Sequence, residues 1–225
     1  MFNSDTDRHV RLSITRFFAA NGFAPTSYEI ATINGLKNSE VEAAFERLEK
    51  HDQLLLSANG NTLRAAHPYS AVPTAYWVET GERGWWANCA FCALGVAVIA
   101  GSPARIHARI GAMSEPVTLF TSDRWISDKA LCLHIPLPIR CWHDDIDFTC
   151  SNVHFFKDVK GIDKWSGMNS LPRGVGVSLE DAWVLARTWY ENYLDDDWSP
   201  HSAQRLRDIF DTCGLTGEFW EVLSR

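Results

Sequence analysis

The sequence predicts an α+β protein of two domains: a winged helix-turn-helix-like module in residues 1–66, then a mixed sheet with flanking helices in residues 67–225. Three observations predict it. Three segments of helical periodicity follow one another from residue 8 and lead into a hairpin pattern. The stretch 67–74 carries two prolines and no helical period. Beyond it, short runs of period two are mixed with strongly apolar helical stripes. With 46% hydrophobic residues, a chain of 225 residues can bury one substantial core or two modest ones.

Residues 8–20 place Val10, Ile14, Phe17 and Phe18 at helical spacing and stop at Asn21-Gly22, which predicts the first helix. Thr26 or Ser27 caps a short second helix through Ile33. Ser39 caps a third, whose Val41, Ala44, Phe45 and Leu48 form the stripe to be buried. Residues 53–57 and 62–66, joined around Asn59-Gly60, make the hairpin. Pro68 and Pro73 then read as an extended connection between the domains. Residues 75–78, 104–108, 117–120, 131–135 and 152–156 are candidate strands. Ser178 with Asp181 opens a helix whose Ala182, Trp183, Leu185, Ala186, Trp189, Tyr190 and Tyr193 supply a wide apolar stripe. From about residue 196 a helical extension follows: a Ser199-Pro200 start, a Gly214 stop, and a last turn through Phe219, Trp220 and Leu223.

Charge and length exclude several classes. The expected reading helix carries Glu40, Glu42, Glu46 and Glu49, and residues 1–65 hold seven Lys and Arg against eight Asp and Glu, a balance of −1. DNA-binding modules present a basic face, so this module is expected to be structural or lid-like. The net charge of −7 opposes nucleic-acid and anionic-membrane partners alike. The longest apolar run, 90–100, is too short to span a bilayer, and the first residues lack a signal-peptide core, so a cytoplasmic protein is expected. Six cysteines without a secretory signal read as free thiols, ligands or nucleophiles.

The chemistry concentrates at Asn88-Cys89-Ala90-Phe91-Cys92. Cys89 and Cys92 lie three apart on one helical face, with Asn88 as the expected cap. In a first turn, free N–H groups and the helix dipole favour thiolate. A third thiol, Cys150, stands before Val153-His154-Phe155-Phe156. Three thiols that converge suit a soft metal. The competing reading of each is a small apolar residue in a buried helix. A thioredoxin-type CxxC pair expects a βαβ context and no remote third thiol.

These residues resemble the organomercurial (alkylmercury) lyase family. The resemblance runs from Trp86-Ala87-Asn88-Cys89-Ala90, through an apolar helix closing at Gly101, to Ala104-Arg105-Ile106 and Glu115-Pro116-Val117-Thr118-Leu119. It resumes at Cys150-Ser151-Asn152-Val153-His154-Phe155-Phe156, passes Trp165, and extends into Val175-Gly176-Val177-Ser178 and the helix behind it, roughly residues 68–194. It implies protonolytic cleavage of a carbon–mercury bond, with two thiolates on the metal, mapping to Cys89 and Cys150, and a proton delivered by an aspartate one helical turn after the first cysteine. Cys92 occupies that aspartate's position, and a further cysteine of some members falls at Ile110. The family also has an N-terminal winged-helix-like domain that is not a DNA reader. No external cofactor is implied. Mercury or another soft metal ion is substrate or product ligand, the substrate is a small organometallic, and cellular thiols or a mercury-accepting reductase receive the metal.

The expectation is therefore that Cys89, Cys92 and Cys150 form the metal and catalytic site, Cys92 donating the proton or serving as a third ligand. Two alternatives stay open: a thiophilic-metal binder or sensor without turnover, and a cysteine-dependent enzyme acting on another carbon–heteroatom bond. His154 is placed on the strand face of Asn152 and Cys150, lining the pocket or, more simply, satisfied in the core. A carboxylate of 144–147 is a second candidate proton source, with a solvated loop as the plainer reading. Trp85, Trp86 and Phe91 serve as apolar walls or core, and Cys132, Cys141 and Cys213 are expected to be structural.

Overall fold

The computed structural model describes residues 5–222 apart from 59, 61, 82 and 102. Helix α1 (Asp5–Asn21) buries Val10, Ile14 and Phe18, and its Asp7 meets Arg47 of α3 at 2.7 Å. Helix α2 (Ser27–Asn34) opens with a capping box: the Thr26 hydroxyl accepts the Glu29 N–H and the Glu29 carboxylate accepts the Thr26 N–H. It ends at Gly35, φ 65°. Helix α3 (Asn38–Glu49) begins one residue before the expected Ser39 cap and buries Val41, Ala44, Phe45 and Leu48. Strands β1 (Leu55–Leu56) and β2 (Leu63–Ala66) pair antiparallel. Asn59 of the expected turn lies outside the described residues.

After these come β3 (Tyr69–Ser70), β4 (Trp77–Thr80), β5 (Arg83–Ala87), α4 (Ala90–Ala100), β6 (Ala104–Arg109), β7 (Pro116–Ser122), β8 (Trp125–Ile126) and β9 (Cys132–Ile135). The chain ends with α5 (Ile146–Ser151), β10 (Phe155–Phe156), α6 (Val159–Asn169), β11 (Val175–Ser178), α7 (Leu179–Trp189) and α8 (Ala203–Thr212). Eight strands form one sheet in the order β1-β2-β3-β5-β4-β6-β7-β8, and a second sheet runs β10-β9-β11. Residues 67–68 are the tight turn of a β2–β3 hairpin, where an extended connection was expected.

The sheet is not mixed: every strand pairing among the described residues is antiparallel. Two helical crossovers are seen among the described residues, β10–α6–β11 past β9 and β5–α4–β6 past β4; each joins strands that are not neighbours, so no parallel ladder forms. The latter crossover lays α4 on the sheet. Its residues from Ala90 to Ala97 are all buried, with α7 packed against it.

Other corrections are local. The strand expected at 75–78 is Trp77–Thr80. The strand expected at 152–156 shrinks to Phe155–Phe156, because Asp145 caps a helix that takes up Cys150. Helix α8 starts after Ser202, whose hydroxyl accepts the Arg205 N–H at 3.1 Å, and not at Ser199-Pro200. Leu223 lies outside the described residues.

Candidate functional site

Helix α4 is capped by Cys89 itself. Its Sγ accepts the Cys92 N–H at 3.3 Å, a bond an N-cap oxygen usually makes. Asn88 is not the cap, since its own N–H goes to the Pro68 carbonyl at 3.1 Å, beside the β3–β5 ladder. Cys92 follows one turn into the helix.

Cys150 arrives on the last turn of α5, where it is buried. The Asp145 carboxylate accepts the Phe148 N–H at 2.8 Å and starts that helix. Beyond Cys150 the chain turns back, and the Val153 carbonyl accepts the Ala90 N–H at 3.2 Å. This bond ties the end of α5 to the start of α4. The structure thus brings together Cys89, Cys92 and Cys150, with Cys89 hydrogen-bonded to both other thiols.

A fourth donor joins them. The β3–β5 register sets Tyr69 opposite Ala87, which carries His67 alongside residues 88–89. Its Nδ1 lies 3.9 Å from Cys92 Sγ and 3.9 Å from Cys150 Sγ, and the three atoms all fall within 4.8 Å of one another. The His67 carbonyl accepts the Tyr193 hydroxyl at 2.6 Å, so α7's continuation holds the histidine's backbone.

The charge is shared unequally. Burial pushes the Cys89 thiol up, but hydrogen bonds with Cys150, with Cys92 and from the Cys92 N–H outweigh it, and Cys89 is held well below the usual thiol range. The hydrogen bond to Cys150 draws Cys92 down, while Cys89 and burial raise it more strongly, so it remains a thiol. Cys150 is raised by Cys89, by Cys92 and by burial. One thiolate stabilised by two thiols is the result. Burial lowers His67 to about 4, against a smaller upward pull from Cys89, so its ring is neutral at pH 7. Tyr190, hydrogen-bonded to Cys92, is kept a neutral phenol by burial and by the nearby thiols.

The cluster floors a cleft of about 920 Å³ whose walls include Phe91, Trp142, Trp189 and Tyr190, with Asp52 and His143 also lining it. Those rings stand with centroids 5.8 to 6.3 Å apart. Such a cavity suits an apolar group attached to a metal.

Other expected residues lie elsewhere. His154 is not on a strand face shared with Cys150. Its Nδ1 is hydrogen-bonded to the Tyr76 hydroxyl at 2.6 Å, and it is buried, a satisfied core histidine. Among the acidic residues before Cys150, Asp145 is spent on the α5 cap and Asp147 pairs with Arg64 at 2.6 Å. Trp85 is core, its indole N–H donating to the Phe18 carbonyl at 2.9 Å. Cys132 lies in β9, Cys141 in a single 3-10 turn, and Cys213 at the end of α8. Sequence reasoning missed His67, because a lone histidine before a proline in a connection carries no periodic signal; only the unforeseen β3–β5 pairing delivers it.

A family model described as alkylmercury lyase matches residues 69–191. Among solved structures, the mercury-bound form of MerB2 aligns with a TM-score of 0.66 at 20% identity, covering 82% of this chain and 91% of that one. That likeness is one of fold. No curated protein matches the chain.

Proposed function

The chain belongs to the alkylmercury lyase family, and on that footing we propose that it cleaves carbon–mercury bonds by protonolysis on the Cys89, Cys92 and Cys150 cluster. The observation that carries this is the pairing of one thiolate with two thiols around one point at the floor of an apolar cleft. Cys89 thiolate takes the soft metal of R–Hg⁺. Cys92 passes its proton to the departing carbon and releases R–H. Cys150 then binds the metal as the second sulfur, and its proton returns to Cys92. One organomercurial cation, one thiolate and one thiol give one hydrocarbon and a neutral mercury dithiolate, so charge and protons balance without a carboxylate.

The aromatic walls fit the organic group, and the neutral His67 ring puts no positive charge beside the thiols that take R–Hg⁺. Exchange with small thiols removes the mercury. No helix among the described residues is long and apolar enough to cross a membrane. The test is direct: incubate the reduced protein with phenylmercury and excess thiol and measure benzene. Stoichiometric mercury uptake without benzene replaces the lyase with a binder.

A further inference from the structure

Beyond the lyase chemistry, we propose that Cys89, Cys92, Cys150 and His67 form a four-coordinate site for a divalent d10 cation, zinc. His67 belongs to none of the family motifs and carries this step. With metal–sulfur near 2.3 Å and metal–nitrogen near 2.0–2.1 Å, the S···N edge of a tetrahedron is about 3.6 Å. His67 Nδ1 stands 3.9 Å from two sulfurs at once. A few tenths of an ångström of closure around an ion completes these two edges; Cys89 Sγ, hydrogen-bonded to both other thiols, stands more than 4.8 Å from at least one of the three donors and has to swing inward to take the remaining corner.

The second observation concerns how the ring is held. The other buried histidines are fixed by their nitrogens: His134 faces the Asn152 and Arg173 carbonyls at 3.0 Å each, and His154 bonds Tyr76. His67 Nε2 is buried without a hydrogen-bond partner. His67 Nδ1 faces the Cys92 and Cys150 sulfurs at 3.9 Å and the Asn88 amide nitrogen at 3.5 Å, so it is the ring nitrogen placed to take a metal, with the proton on Nε2.

Three thiolates and an imidazole are a zinc-type donor set, whereas mercury is satisfied by sulfur alone. Each thiol that enters as thiolate gives its proton to solvent. Bound zinc occupies the sulfurs that the proposed reaction needs, so it slows hydrocarbon release until mercury displaces it.

The experiment reads metal without organomercurial, so its failure is separate from failure of the lyase. Reduced, metal-free protein is titrated with Co²⁺. The expected result is one Co²⁺ per chain, with tetrahedral visible bands and sulfur-to-cobalt charge transfer, bleached by one equivalent of Zn²⁺. His67→Gln is expected to weaken zinc at least tenfold in competition with a chelator, and Cys132→Ser to leave it unchanged. Absence of charge transfer, or the same affinity and spectrum in H67Q, overturns the site. X-ray absorption of the zinc-loaded wild type tests the same point without a variant: three sulfurs and one nitrogen support it, and any other first sphere overturns it.

Discussion

The ring of Tyr190 rests directly on the backbone of Gly95. A Cβ at Gly95 would stand 2.3 Å from Tyr190 Cε2, closer than atoms approach, so no other residue lets the two elements meet this way. Gly95 lies one turn beyond Cys92, and the contact is what brings the Tyr190 phenol against the Cys92 thiol.

Gly95→Ala is therefore expected to destabilise the protein. A Gly in a helix interior costs roughly 1 kcal/mol against Ala, but forcing a methyl into this contact costs about 1–3 kcal/mol and displaces the ring. Urea denaturation should show a net loss, and hydrocarbon release should fall with it. A variant at least as stable as the wild type refutes the tight contact.

Cys92 separates acid from ligand. If its proton goes to carbon, Cys92→Ser, which keeps the size but loses an acid of suitable strength, lowers benzene release by about 10²–10⁴-fold. Cys92→Asp puts a carboxyl where the family resemblance has one and is expected to keep turnover well above that of C92S. Equal turnover in wild type and C92S removes Cys92 from proton delivery.

Much of this site is legible in the sequence because local rules act locally. Cys89 and Cys92 lie on one helical turn, and the apolar run after them buries α4. Cys150 comes to the cluster from a helix and not from the strand that the period-two pattern of 152–156 predicts, since that pattern hides the capping Asp145 that makes α5. Strands β3 and β5 were missed because two residues between prolines and a Trp-Trp pair carry too little alternation; their pairing is a long-range choice. His67 depends wholly on that pairing and so was invisible.

Acid stability follows from His154. Its ordinary value is 6.5, and burial lowers it to about 4 in the folded chain, with a smaller upward pull from Cys89. The unfolded chain therefore binds the proton more readily. Stability from this group is complete above pH 6.5 and falls as pH drops towards 4, by about 2 kcal/mol at pH 5. His154→Gln, which still accepts from Tyr76, should lose less melting temperature than the wild type between pH 7 and 5. Parallel curves for the two proteins contradict the assignment.

Arg11 is the last link between the N-terminal helix and the site. Its guanidinium lies 4.1 Å from the centroid of the Tyr193 ring and 3.5 Å from that of Trp198. Buried cation–π contacts are worth about 0.5–2 kcal/mol each. Tyr193 in turn donates its hydroxyl to the His67 carbonyl. Arg11→Met keeps the bulk and removes the charge, and is expected to cost about 1–4 kcal/mol in two contacts. Tyr193→Phe removes one hydrogen bond, about 1 kcal/mol. If Arg11 acts on His67 through Tyr193, the double variant loses less than the two single losses combined, by at least about 0.5 kcal/mol. Strict additivity in denaturant melts would mean that α1 braces Tyr193 without reaching His67.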